Sequence, residues 1–235
     1  MSDSESIFSL ALGLLMSGDA ELWSIIGLSL RVSLTAVALA CMIGLPLGAL
    51  LAVVKFPGRG AIIALLNAFM GLPPVVVGLF VYLMLSRSGP LGILGLLYTP
   101  TAMIIAQTIL VTPLIAALAR QSMADLHGEY DELFRSLGLS TSQTIGALIW
   151  DGRYSLTTAA LAGFGRAIAE VGAVIIVGGN IENVTRVMTT AIALETSKGD
   201  LALAMALGLI LITLALLVNA AVLSLNKTAR RLAYA

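Results

Sequence analysis

An all-α, polytopic membrane fold follows from composition, from the length of the apolar stretches and from where the charges fall. Of 235 residues, 11% are charged and 59% hydrophobic, with a formal net charge of zero. An ordinary soluble domain carries about 25% charged residues, so this chain cannot clothe a water-exposed surface. The mean hydropathy of +1.02 says the same. Thirteen basic residues balanced by thirteen acidic ones leave no excess for a phosphate backbone, which excludes a nucleic-acid binder. A single cysteine, Cys41, excludes an internal disulfide framework and a cysteine-based zinc cluster.

A helix crossing the hydrocarbon core needs about 20 apolar residues, and five stretches qualify. The first runs from near Ser24 to Val54, interrupted by Arg31 and expected to bend at Pro46. The second covers Ala61 to Leu85, the third Tyr98 to Ala119, the fourth Leu156 to Val177 and the fifth Leu201 to Asn226. Before them, residues 1–20 contain Ile7, Leu10 and Leu14 but are too short a run to span. With Asp3 and Glu5 leading and no basic residue ahead of it, this segment reads as an interfacial helix rather than a secretory signal.

Lysine and arginine in short loops orient the chain. An outer N-terminus and five spans place Lys55, Arg59, Arg120, Arg135, Arg153, Lys227, Arg230 and Arg231 inside, and Arg87, Arg186 and Lys198 outside. The bias predicts a cytoplasmic C-terminus.

The most patterned polar segment is the inner loop, residues 121–155. Tyr130, Leu133, Phe134 and Leu137 recur at i, i+3, i+4 and i+7, one face of a helix. Gly138 then ends that helix in the left-handed conformation, with Leu139 folding back on the last turn. Ser140 through Gln143 read as a capping box that opens a second helix, whose apolar face is Ile145, Leu148 and Ile149. Two helices this short are marginal in water, so their apolar faces must be covered. Either they rest on the ends of the spans, or one face docks into a cytosolic partner.

Within the fourth span, Arg166 and Glu170 stand four residues apart, on one helical face. Each charge at mid-span costs roughly 2.5–3.5 kcal/mol, so both must face protein or water. They are either a structural tie or part of an anion route. Asn67, Gln107, Thr108, Thr112 and Asn219 are further polar residues in spans, suited to weak oxyanion contacts or to hydrogen bonds between helices. Gly44 and Gly48 have the spacing for close helix approach. The outer segment 179–200 is too long for a plain turn; its apolar middle, Val187 to Leu194, holds Thr189 and Thr190 and reads as a short helix or re-entrant element.

Glu132, Gly138 and Leu148 resemble the coupling-loop motif of ATP-binding-cassette importer permeases. Leu133 and Phe134 replace two alanines of that motif, and Trp150-Asp151 stands where it carries Leu-Pro. Gly71-Leu-Pro-Pro-Val-Val-Val-Gly78 and Ser88-Gly-Pro-Leu-Gly92 resemble molybdate and tungstate permeases. Gly163-Phe-Gly-Arg-Ala-Ile-Ala-Glu-Val-Gly-Ala173, Val177-Gly-Gly-Asn180 and Thr185 to Gly199 are most similar to the tungstate branch.

The resemblance implies a type I (MetI-like) permease fold, without a cofactor, acting as a homodimer in the inner membrane. It implies cytosolic ATPase subunits gripping Tyr130, Glu132, Leu133, Phe134, Leu137, Gly138, Leu139 and Ser140, and an extracytoplasmic oxyanion-binding protein delivering the cargo. Arg166, Glu170, Asn180, Thr189 and Thr190 are the expected pathway or gate residues. No Gly-x-x-x-x-Gly-Lys-Ser/Thr loop occurs, so ATP would be hydrolysed on another polypeptide. Molybdate or another anion remains an alternative cargo, and an ion-coupled secondary transporter the alternative class; the latter is disfavoured by the lack of an internal repeat.

Overall fold

The computed structural model describes residues 19–233, with Gly13 and Met16 ahead of them and side chains through Ser224. The expected interfacial helix at residues 1–20 therefore lies almost wholly outside the described residues, as do the side chains of Lys227, Arg230 and Arg231. The described chain forms α1 (Ala20–Val53), α2 (Arg59–Met70), α3 (Pro74–Leu85), a single 3-10 turn (Gly92–Leu94), α4 (Pro100–Ser136), α5 (Thr141–Asp151), α6 (Arg153–Ile168), α7 (Gly172–Gly178), α8 (Met188–Lys198) and α9 (Leu201–Ala233).

Three helices, α1, α4 and α9, are long and apolar enough to cross a membrane, and the pairs α2–α3 and α6–α7 bring the number to five if each broken pair is one span. The second and fourth expected spans are thus not single helices. Gly71, Leu72 and Pro73 interrupt the second. Pro74 then opens α3 at its first position, where its missing N–H costs nothing. Pro46, by contrast, sits inside an unbroken α1. The first inner-loop helix is not a separate short element either: it is the end of α4, whose 37 residues extend about 55 Å. The hydrocarbon core is about 30 Å thick, so the last turns of α4 must project beyond it.

The chain divides into two compact units. One comprises Met1–Thr35, Pro73–Gln107 and Ala167–Val218; the other comprises Ala36–Leu72, Thr108–Arg166 and Asn219–Ala235.

In the first unit α3 packs on α7, burying Val77, Val81, Val174 and Val177. Hydrogen bonds to backbone groups near helix ends join several of its elements. Ser29 Oγ accepts the Met188 N–H at 2.8 Å, at the start of α8. Gln107 Nε2 donates to the Ala167 carbonyl at 3.0 Å, in the last turn of α6. The Tyr98 N–H donates to the Val177 carbonyl at 2.9 Å.

In the second unit α1 and α4 meet backbone to backbone. A Cβ on Gly48 would stand 2.6 Å from the Ala116 carbonyl oxygen and 2.8 Å from Ala119 Cβ, so only glycine fits, as the spacing with Gly44 foretold. Around that crossing Ala49, Ala52, Ala119, Met123, Leu148 and Leu156 form a buried cluster. Arg59 Nε donates to the Leu51 carbonyl at 2.6 Å and satisfies the last turn of α1.

Candidate functional site

The first site is the α4–α5 hairpin. Helix α4 ends at Ser136; Gly138 takes φ +65°, and the Leu139 N–H returns to the Phe134 carbonyl at 3.1 Å. That is the closing bond of a Schellman turn. The capping box is present: Ser140 Oγ accepts the Gln143 N–H and Gln143 Oε1 accepts the Ser140 N–H at 2.8 Å.

The amphipathic faces are covered in part by the ends of the spans. Leu148 is fully buried, and Tyr130, Phe134 and Ile145 pack against its cluster. Tyr130 and Phe134 rings lie 5.7 Å apart, with His127 stacked 6.5 Å from Phe134. The other half of the face stays uncovered: Leu133 is 52% exposed and Leu137 63%, with Trp150 on α5 at 70%. Glu132, Gly138 and Ser140 are exposed beside them. Asp131 and Arg135 pair across one turn at 2.8 Å. The hairpin is therefore anchored along one side, while Leu133 and Leu137 on α4 and Trp150 on α5 stay exposed.

The expected pathway residues fall elsewhere, and for two of them the expected geometry changes. Arg166 lies in the last turn of α6, which stops at Ile168. Glu170 is in the linker before α7, so the two do not share a regular helical face. Glu170 is buried, and its Oε1 accepts the Ala173 N–H at 3.2 Å, meeting one of the free donors at the start of α7. Its carbonyl accepts the Thr189 hydroxyl at 2.8 Å. Thr190 is fully buried, exchanging hydrogen bonds with the Val187 backbone. Asn180, at φ +50°, donates through Nδ2 to the Thr190 carbonyl at 3.3 Å, and its Oδ1 is buried without a hydrogen-bond partner. Thr189, Glu170, Gln107, Ser29 and Ser33 surround a cavity of about 10 Å³, the room of one water molecule. Gln107 Oε1, buried and without a hydrogen-bond partner, belongs to the same node.

The segment 179–200 contains α8, as its composition suggested, and α8 buries Met188, Thr189, Thr190, Ala191 and Glu195. Glu195 is held by Lys198 at 2.9 Å. Sequence reasoning did not single out Ser29 or Thr185, which joins Ile181 and Gly178 through its hydroxyl. A serine in an apolar helix carries no signal of which distant N–H it will accept.

A wider cleft of about 290 Å³ opens in the first unit, lined by Glu21, Ser24 and Arg31 of α1 and by Glu182, Asn183 and Arg186. Arg186, its side chain 10% exposed, pairs with Glu21 at 3.3 Å and Glu182 at 3.7 Å.

Residues 44–231 match the family described as binding-protein-dependent transport system inner membrane component. The chain is 43% identical over 220 residues to the tungstate uptake system permease protein TupB of Peptoclostridium acidaminophilum, covering 94% of this chain and 96% of that one. It is 38% identical to TupB of Campylobacter jejuni, covering 94% and 92%. It is 44% identical over 203 residues to a probable anion ABC transporter permease protein of Haloferax volcanii, covering 84% and 87%. A solved structure of the MetNI methionine ABC transporter, inward facing, superposes with a TM-score of 0.69 at 18% identity, covering 90% of this chain and 94% of that one, and so shares the fold. With helices long enough to span a bilayer and a match over most of its length, the chain belongs to the family of inner membrane components of binding-protein-dependent transport systems, the ABC importer permeases.

Proposed function

We propose that this permease carries tungstate inward as a homodimer, driven by cytosolic ATPase subunits and fed by an extracytoplasmic oxyanion-binding protein. The cargo reading is supported chiefly by the 43% and 38% identity to two tungstate permeases over nearly the whole chain. Molybdate and sulfate permeases are more distant, at 27% and 28%.

Tyr130, Glu132, Leu133, Phe134, Leu137, Gly138, Leu139 and Ser140 form the ATPase contact. The observation supporting this role is a hairpin packed on one side with Leu133 and Leu137 bare on the other. Tyr130 and Phe134 tie it to the buried cluster, so force applied at the tip reaches the α1–α4 crossing. Rigid-body rocking then alternates access to the pathway. Arg166, Glu170, Asn180, Thr189 and Thr190 are the pathway or gate residues. The hydroxyls of Thr189 and Thr190 and the Oε1 of Glu170 hold backbone groups at helix ends, which suits hinge supports better than cargo ligands. The N-terminus lies outside and the C-terminus in the cytoplasm, as the lysine and arginine bias requires.

Proteoliposomes containing permease, ATPase and binding protein test the reading. Uptake of tungstate should require internal or external ATP at the ATPase face and should resist excess molybdate and sulfate. Uptake driven by an ion gradient without ATPase, or preference for another anion, would overturn it.

A further inference from the structure

We propose that Arg31, about a third of the way along α1, is a transit station for the oxyanion in the cleft that it lines with Arg186. This rests on the anion-import reading above and names a site within it.

Arg31 stands ten residues after Glu21 on a continuous helix that is long and apolar enough to cross a membrane, about 15 Å further along its axis. An arginine within an apolar span is costly unless it meets protein or water. Yet its side chain is exposed on the chain, and among the described residues no carboxylate pairs with it. The two nearest acidic groups in the cleft, Glu21 and Glu182, are both held by Arg186.

The face that carries Arg31 is not built for lipid. Ser24, Gly27, Arg31, Leu34 and Thr35 follow one another at helical spacing, all exposed, and only Leu34 is a large aliphatic residue. Helix α9, by contrast, exposes Ile212, Leu216, Leu217 and Leu223. This face therefore meets water or a second copy of the chain, as charged residues in spans do.

The cleft supplies the rest. Ser24 and Asn183 offer hydrogen bonds beside Arg31, and Arg186 is almost buried, with its Nε lacking any hydrogen-bond partner. The cleft volume of about 290 Å³ admits a tetrahedral oxyanion with part of its hydration. Two guanidinium groups and two carboxylates sum to no net charge. That balance suits a station that must release its ion, since conduction fails where binding is tight. Arg31 supplies the second cation of that balance, and among the described residues no carboxylate lies within ion-pair distance of it.

Two measurements on the assembled transporter test this. In a Cys41→Ala background, Arg31→Cys should react with a membrane-impermeant, negatively charged thiol reagent added outside intact cells, and tungstate under importing conditions should slow the reaction. Leu216→Cys, on an aliphatic face, should stay unlabelled. In proteoliposomes, Arg31→Gln should lower the maximal uptake rate about tenfold or more, the fold-change of losing one charge-assisted hydrogen bond. The half-saturating concentration of loaded binding protein should hold, and Arg31→Lys should restore most of the rate. A residue 31 thiol as inert as that at 216, or Arg31→Gln at the wild-type rate, would overturn the proposal. So would a loss matched by a fall in membrane protein level, which would make Arg31 structural. If the wild-type protein imports another anion instead of tungstate, the cargo reading fails while the labelling result still judges Arg31.

Discussion

Ser29 and Gln107 show how single polar side chains hold this bundle. Each meets a backbone group that a helix end or break leaves unpaired: Ser29 the Met188 N–H, Gln107 the Ala167 carbonyl. Leaving such a buried group unsatisfied costs about 1–3 kcal/mol. Ser29→Ala should therefore lower the thermal unfolding midpoint of the detergent-purified protein, while the neighbouring exposed Ser24→Ala should not. Glu170→Gln keeps an oxygen that can accept the Ala173 N–H but removes the charge. Uptake should fall by roughly tenfold, about 1.4 kcal/mol in the barrier, while membrane insertion stays near wild type. Equal losses in protein level and uptake would make Glu170 purely structural. At this scale the sequence revealed that Arg166 and Glu170 must avoid lipid. It did not reveal their geometry, because α6 stops at Ile168, where the Ala167 carbonyl is met by Gln107, sixty residues away. The local signals, Gly138 and the Ser140–Gln143 box, were legible because every partner lies within a few residues.

Among the elements, the α4–α5 hairpin is the proposed ATPase contact. Gly138 sits at φ +65°, where a side chain costs about 1–2 kcal/mol. Gly138→Ala should loosen the turn and reduce transport more than it reduces protein level, read by uptake normalised to membrane content. Leu137→Asp should leave the permease folded, since Leu137 buries little, yet release the ATPase on copurification. Gly48 is a different case. No side chain fits between α1 and α4 there, and overpacking costs about 1–3 kcal/mol or more, so Gly48→Leu should deplete the protein from the membrane. The five apolar stretches announced the spans, but the breaks in the second and fourth were not read as breaks. Hydropathy averages over Leu72-Pro73-Pro74 and over Glu170-Val171-Gly172, whereas backbone continuity does not. The same averaging separated the end of α4 from its span, though no helix stop lies between Ala119 and Ser136.

For the whole molecule, composition and charge placement reached the class of protein, and family motifs reached its branch. The division into two units was not visible, since α1, α4 and α9 each supply residues to both and periodicity carries no trace of which half of a helix packs with what. The topology proposed from the lysine and arginine bias is one that single cysteines can check. A thiol introduced at Lys55 or Arg120 should be protected from impermeant reagents outside intact cells, and one at Arg87 or Lys198 should react. The most direct trial of the central claim is a photo-cross-linker placed at Leu137 in vesicles engaged in ATP-driven uptake. The account predicts a covalent adduct with the nucleotide-hydrolysing subunit, its yield changing between ATP-bound and ADP-bound states. Adducts with lipid or with the permease alone, while uptake proceeds, would contradict it.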